Sequence, residues 1–132
     1  MLLITAATAQ GHDKAWLQRH LPPGLTLTDV TDGWSCQILT GPKSREILAQ
    51  VSDADLSKGW LTWQKAKVAG REVYLFRVSF AGELGWEIHS PVAETAAVWD
   101  AVLAAGEPLG LKPFGMFALN SLRIEKGYRA WK

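Results

Sequence analysis

Residues 63–89 read WQKAKVAGREVYLFRVSFAGELGWEIH, and the class of the fold follows from how this stretch divides. Residues 63–68 and 72–80 read as two strands turned through Ala69-Gly70. The second is dense in β-branched and aromatic residues: Val73, Tyr74, Leu75, Phe76, Val78 and Phe80. Gly82 and Gly85 bracket a tight loop, and Trp86-Glu87-Ile88-His89 returns as a third strand. Strands joined by such short turns pair antiparallel. With the turn running from Gly82 to Gly85, Phe80 and Glu87 face each other and project from one side of the sheet.

Upstream, residues 34–40 form a further strand, and Gly41-Pro42 leads into a helix over 42–51 with Ile47, Leu48 and Val51 on one side. Residues 52–59 are polar and turn-rich. At the start, residues 2–7 read as a short strand. A helix then opens at Gly11-His12-Asp13 with Asp13 as N-cap, carries Trp16, Leu17, His20 and Leu21 on one face, and ends at Pro22-Pro23-Gly24. Residues 25–30 alternate as another strand before Thr31-Asp32-Gly33. Downstream, Ser90-Pro91 starts a helix whose stripe is Val92, Ala96, Trp99, Val102 and Leu103, closed by Gly106 at C′. Residues 109–114 make a connection or edge strand, and a last helix spans about 116–126 before Gly127. Strands and helices interleave without repeats or linkers, so the expected class is α+β: a mostly antiparallel sheet with helices packed on it.

Composition narrows the function classes. The chain has 132 residues, of which 48% are hydrophobic and 20% charged, a composition that suits one globular domain. A net charge of +1 argues against a broad electrostatic grip on nucleic acid. No apolar run is long enough to cross a membrane as a helix. The single Cys36 excludes an intramolecular disulfide and a cysteine-cluster metal site, and its apolar surroundings read as a small buried hydrophobe. No basic residue precedes the apolar start, so no secretory signal is expected. The expected compartment is reducing: the cytoplasm, or the mitochondrial matrix in a eukaryote. His12, His20 and His89 show no ligand spacing, and no metal site is expected from them. Seven tryptophans mean large flat surfaces that are buried or offered to something.

An aromatic ring beside a carboxylate, next to two glycines that admit close approach, suits a flat ligand with adjacent N–H donors. The ring of Phe80 would stack, and Glu87 would accept a bidentate pair of hydrogen bonds. On pattern alone the plainer reading wins, a solvated glutamate opposite a core phenylalanine. Arg123, Glu125 and Lys126 likewise read as the charged surface of a glycine-capped helix. Gly41-Pro42 with Ser44 lacks the glycine-rich cradle of a phosphate site. Asp13, Asp29 and Asp53 have no evident nucleophile or base partner. No residue in the chain is assigned a catalytic role.

Three segments together carry a family resemblance: LTDVT (27–31) with GPKSRE (41–46), RVSFAGELGWE (77–87), and ALNSLRIEKGYR (118–129). In that order and spacing the chain resembles the folate-binding aminomethyltransferase domain, found as the glycine-cleavage T-protein and in the C-terminal half of dimethylglycine and sarcosine dehydrogenases. Trp86 after Gly85 and the run SLRIEKGYRAW (121–131) most resemble the dehydrogenase branch. The resemblance implies the ferredoxin-like portion of that fold, tetrahydrofolate as cofactor, and one-carbon (aminomethyl or methylene) transfer in the complete enzyme. It implies that Glu87 holds the pterin edge. Phe80 stands where the family usually has tyrosine, which keeps a stacking face and loses a hydroxyl. Glu83 and Trp86 are weaker candidates that shape the hairpin. Leu119 stands where the glycine-cleavage branch has a folate-contacting arginine, and Tyr128 follows Lys126-Gly127 where the cluster-repair branch has a cysteine.

The family's catalytic aspartate lies upstream of the matched region. The barrel-like domain, and the FAD of the dehydrogenases in its separate domain, have no counterpart here. The chain is therefore expected to be a single domain, 1–132, that is a central fragment of a longer one. It would bind folate without turnover, with the missing domains or a second copy as partners. A non-catalytic structural or interaction module, or a piece of a folate-dependent demethylase, is the alternative.

Overall fold

The computed structural model describes residues 1–130; Trp131 and Lys132, which end the 121–131 run and the chain, lie outside the described residues. The chain divides into two compact units, Met1–Val30 and Thr31–Lys132.

In the first unit a 3-10 turn, Ala7–Ala9, runs into α1 (Gln10–Arg19). Ala9 is the N-cap, so Asp13 sits inside the first turn, where its carboxylate favours the positive end of the helix dipole without capping it. Trp16 stacks on His20 at 4.3 Å between ring centroids, and α1 buries none of its residues. The strands expected at 2–7 and 25–30 do not form. Neither segment has a ladder partner, and alternation alone cannot satisfy a strand's backbone groups. Asp29 instead accepts from Lys14 Nζ at 3.0 Å and Gln10 Nε2 at 3.4 Å.

The second unit holds β1 (Trp34–Thr40), α2 (Ser44–Val51), β2 (Trp63–Val68), β3 (Arg71–Phe76), β4 (Gly85–Pro91), α3 (Thr95–Gly106) and α4 (Met116–Glu125). The four strands form one antiparallel sheet in the order β1-β4-β3-β2. The α+β class with helices on an antiparallel sheet is thus what the chain adopts. Leu39, Val68, Val73, Leu75, Trp86 and Ile88 leave one face of the sheet and pack with Ile47 and Leu48 of α2 and Val98 and Val102 of α3. Strand periodicity then sends Ile38, Glu87, His89, Tyr74 and Phe76 to the other face.

Several expected features move: the helix read as 42–51 begins at Ser44, and the one read from Ser90-Pro91 begins at Thr95, because β4 runs on through Pro91. The buried stripe of α3 is Val98, Val102 and Gly106, whereas Val92 precedes the helix in a 3-10 turn and Trp99 stays 44% exposed. Gly106 is not a left-handed cap. It lies within the helix, where an added Cβ would meet Leu111 Cδ2 at 2.4 Å. The strand read as 72–80 ends at Phe76. Beyond it, Arg77 N–H bonds to the Thr62 carbonyl at 2.8 Å while β4 starts only at Gly85, so residues 77–84 form a loop. α4 closes as expected at Gly127 (φ +80°). Tyr128 N–H bonds to the Arg123 carbonyl and Gly127 N–H to that of Ile124, the Schellman pattern.

Candidate functional site

Register decides which side chains share the open face of the sheet. β4 pairs Glu87 with Ile38 of β1 on one side and with Phe76 of β3 on the other; His89 pairs with Cys36 and Tyr74. Trp63 of β2 pairs with Phe76 and stacks on it, 6.3 Å between centroids at 27°. Trp34 lies 5.2 Å from Tyr74, and Phe76 meets His89 edge-on at 4.8 Å. The face is therefore an aromatic surface with one carboxylate and one imidazole set into it.

Glu87 is half-buried, its side chain 28% exposed, and one carboxylate oxygen accepts from His89 Nε2 at 3.0 Å. That bond limits rotation of the carboxylate, whose two oxygens have lone pairs beyond the one His89 uses. Cys36 stands beside the pair. Although the residue is exposed, its thiol is pushed up to about 12, first by desolvation of the sulfur, then by the Glu87 charge and by the hydrogen bond with Glu87.

The residues expected to form the site are not all together. Phe80 does not face Glu87, because the strand carrying it ended four residues earlier; Phe76 takes that place. Phe80 lies in the 77–84 loop, 39% exposed, under the Arg123 guanidinium at 5.6 Å. Trp86, 2% exposed, belongs to the helix-covered face, one residue from Glu87 and therefore on the opposite side. Its ring is flanked by the guanidinium groups of Arg77 at 4.9 Å and Arg45 at 5.6 Å. Glu83 is exposed at the turn.

The loop itself is anchored at both ends. Arg77 Nη1 donates to the Gly85 carbonyl at 3.0 Å. Gly82, at φ +77°, lets the Lys126 stem pass so close that a Cβ would fall 2.2 Å from its Cγ. Within the loop, Ser79 Oγ is buried with no hydrogen-bond partner among the described residues. A cleft of about 270 Å³ runs along β1 instead of over Glu87, lined by Cys36, Ile38, Trp99, Leu111, Phe114 and Leu119 among others.

Sequence reasoning missed Phe76, His89, Cys36 and Arg123. Alternation along residues 34–40 and 86–89 assigns Cys36 and His89 each to a face. Only the pairing of β1 with β4, distant in sequence, makes them neighbours. Arg123 is half-buried, donating to Asn120 Oδ1 at 2.9 Å and to the Tyr128 carbonyl, rather than lying on a solvated surface.

Comparison with known proteins matches all of residues 1–132 to the GCVT N-terminal domain. Human mitochondrial dimethylglycine dehydrogenase is 34% identical over 98% of this chain and 16% of its own length. Mouse mitochondrial sarcosine dehydrogenase is 46% identical over 80% of this chain and 12% of its own, and the aminomethyltransferase of Bacillus velezensis 38% over 94% and 34%. The chain thus spans between about a tenth and a third of the length of these relatives. Among solved structures, the heterotetrameric sarcosine oxidase of Corynebacterium sp. U-96, in complex with pyrrole 2-carboxylate, superposes with a TM-score of 0.64 at 22% identity. That match covers 75% of this chain and 51% of the other. Sequence and fold agree, and the chain belongs to the GCVT N-terminal domain family.

Proposed function

We propose that this chain is the tetrahydrofolate-binding part of a one-carbon transfer enzyme of the dimethylglycine or sarcosine dehydrogenase type, without turnover by itself. The observation that carries the reading is Glu87, half-buried on an open aromatic face with one oxygen already held by His89. A pterin edge presents adjacent N–H donors on a flat ring. A fixed carboxylate accepts them as a charge-assisted pair, and Phe76 with Trp63 supplies the apolar surface beside it. The donor set therefore fits the cofactor, which when bound supplies the amine that receives the one-carbon unit. Glu87 would hold the pterin edge and His89 would keep the carboxylate in place. Phe80 and Glu83, on the 77–84 loop, would lie at the margin of the site and not at its centre. A flavin, where one takes part, would belong to a separate domain of a longer protein.

The relatives named as dehydrogenases and aminomethyltransferases support the reading, and their greater length supports a chain that functions as part of a larger protein. The compartment follows from the same reading: cytoplasm, or mitochondrial matrix in a eukaryote. Among the described residues no helix is long and apolar enough to cross a membrane. Glu87→Gln keeps the size of the side chain and removes its charge. Calorimetric titration with tetrahydrofolate should show affinity falling by roughly tenfold or more, the worth of a charge-assisted pair. Unchanged affinity would refute the role of Glu87.

A second reading, an interaction module, has its own observation. Trp16, Trp60 and Trp63 are each more than half exposed, surface that a second copy or a further domain could cover. Sedimentation at rising concentration separates the two cases. A monomer that binds tetrahydrofolate upholds the first reading, and self-association without folate binding upholds the second.

A further inference from the structure

We propose that Cys36, Glu87 and His89 form a three-ligand site for a zinc-class divalent ion on the open face of the sheet. Cys36 of β1 stands directly across the ladder from His89 of β4, and Glu87 precedes His89 by two residues on the same face. One donor atom from each of the three lies within 4.8 Å of the others. In tetrahedral coordination with bonds of about 2.0–2.3 Å, donor atoms stand about 3.3–3.7 Å apart. The Glu87–His89 pair, at 3.0 Å, stands at hydrogen-bond distance, about 0.3 Å closer than that spacing, and would open slightly as an ion replaced the shared proton. All three donor atoms already lie within 4.8 Å, so about an ångström of closing, at the Cys36 sulfur, completes the set.

Three features suit the set to a cation. All three residues project from paired strands of one sheet, so the backbone frame exists before the ion arrives. Phe76, edge-on to His89 at 4.8 Å, holds the imidazole in its plane. Cys36 lines the cleft along β1, which leaves room at the fourth position for water or a ligand, the open pattern of non-structural zinc sites. One sulfur, one nitrogen and one carboxylate oxygen select a borderline-soft ion over magnesium or calcium. The thiol proton now shared with Glu87 would leave to solvent. Its bonding electrons stay on sulfur and become the metal bond, so no oxidant or reductant is involved.

The inference stands apart from the folate reading, since either can hold without the other. They meet at one atom group: Glu87 cannot ligate the ion and face a pterin edge with the same oxygens. A zinc-class ion would therefore compete with the pterin for this face.

The test uses the whole 132-residue chain, stripped with a chelator. Zinc is titrated calorimetrically and cobalt(II) by absorption at mildly alkaline pH. The expected result is saturation at one ion per chain, release of about one proton per ion, and a thiolate-to-cobalt charge-transfer band. Cys36→Ser should abolish that band, and Cys36→Ser and His89→Gln should each weaken zinc by roughly tenfold or more, with far-ultraviolet dichroism unchanged. Should one variant fail to fold, the cobalt band of the unaltered chain still decides. Absence of saturable binding, absence of the thiolate band, or wild-type zinc affinity in both folded variants would overturn the proposal. The last outcome would move the ion to another pair, such as His12 with Asp13.

Discussion

Trp86 and Glu87 are neighbours in sequence with opposite fates. Trp86 turns into the helix-covered core at 2% exposure, and Glu87 turns to the open face beside Phe76. One residue of register separates a packing side chain from one on the open face, because side chains along a strand alternate faces. The same rule decides between two aromatic residues. Phe76 lies across from Glu87, whereas Phe80 lies in a loop under Arg123. In tetrahydrofolate titrations, Phe76→Ala should therefore weaken binding more than Phe80→Ala, by at least several-fold; the reverse order would return the stacking role to Phe80. Cys36 yields a pH prediction. Its thiol is raised from the ordinary 9.0 to about 12, so the folded state binds the proton more tightly than the unfolded chain. The stability this contributes is complete below pH 9.0 and is lost as pH rises through about 12. Alkylation of Cys36 at mildly alkaline pH should accordingly be slower than that of an unstructured cysteine peptide, and Glu87→Gln should speed it, because two of the three causes of the shift lie on that carboxylate.

At the scale of elements, β1 and β2 have the bounds their residues imply, 34–40 and 63–68. Alternation and flanking glycines are local signals, and they suffice there. β3 was legible at its start, after the Ala69-Gly70 turn, and not at its end. The run through Phe80 is as strand-like in composition as the part before it. Beyond Phe76 the contact with β2 goes on for one step, Arg77 N–H bonding to the Thr62 carbonyl and Leu61 N–H to that of Arg77, with Leu61 at φ +61°. Pairing with β4 stops at Phe76 and Glu87, and the Arg77 guanidinium turns to the Gly85 carbonyl instead. None of this shows in local composition, and so the expected pairing of Phe80 with Glu87 fails, with Phe76 in that place. The helix after β4 failed for a related reason. Its apolar residues cover more than one face, so periodicity cannot choose the buried stripe. The stripe through Val98 makes a measurable difference. Val98→Ala should cost about 1.5–3 kcal/mol in denaturant unfolding, as expected for a fully buried valine. Val92→Ala, at an exposed position, should stay within about 0.5 kcal/mol.

Across the whole molecule, one sheet serves two ends. One face is closed by α2 and α3 and supplies the stability of the second unit. The other carries Trp34, Trp63, Tyr74, Phe76, Cys36, Glu87 and His89, chemistry in place of packing. Composition reads only as far as a charge of +1, which argues against a polyanion, and seven tryptophans that are buried or offered to something. What composition could not locate was the face itself, since it is made by joining β1 to β4 across nearly fifty residues of chain. If this face binds tetrahydrofolate through Glu87, equilibrium titration of the 132-residue chain in chelator-treated buffer shows it. The expected result is saturable binding at one equivalent, quenching of tryptophan fluorescence, and affinity lowered roughly tenfold or more by Glu87→Gln. Absence of saturable binding, or equal affinity for the two proteins, would contradict it.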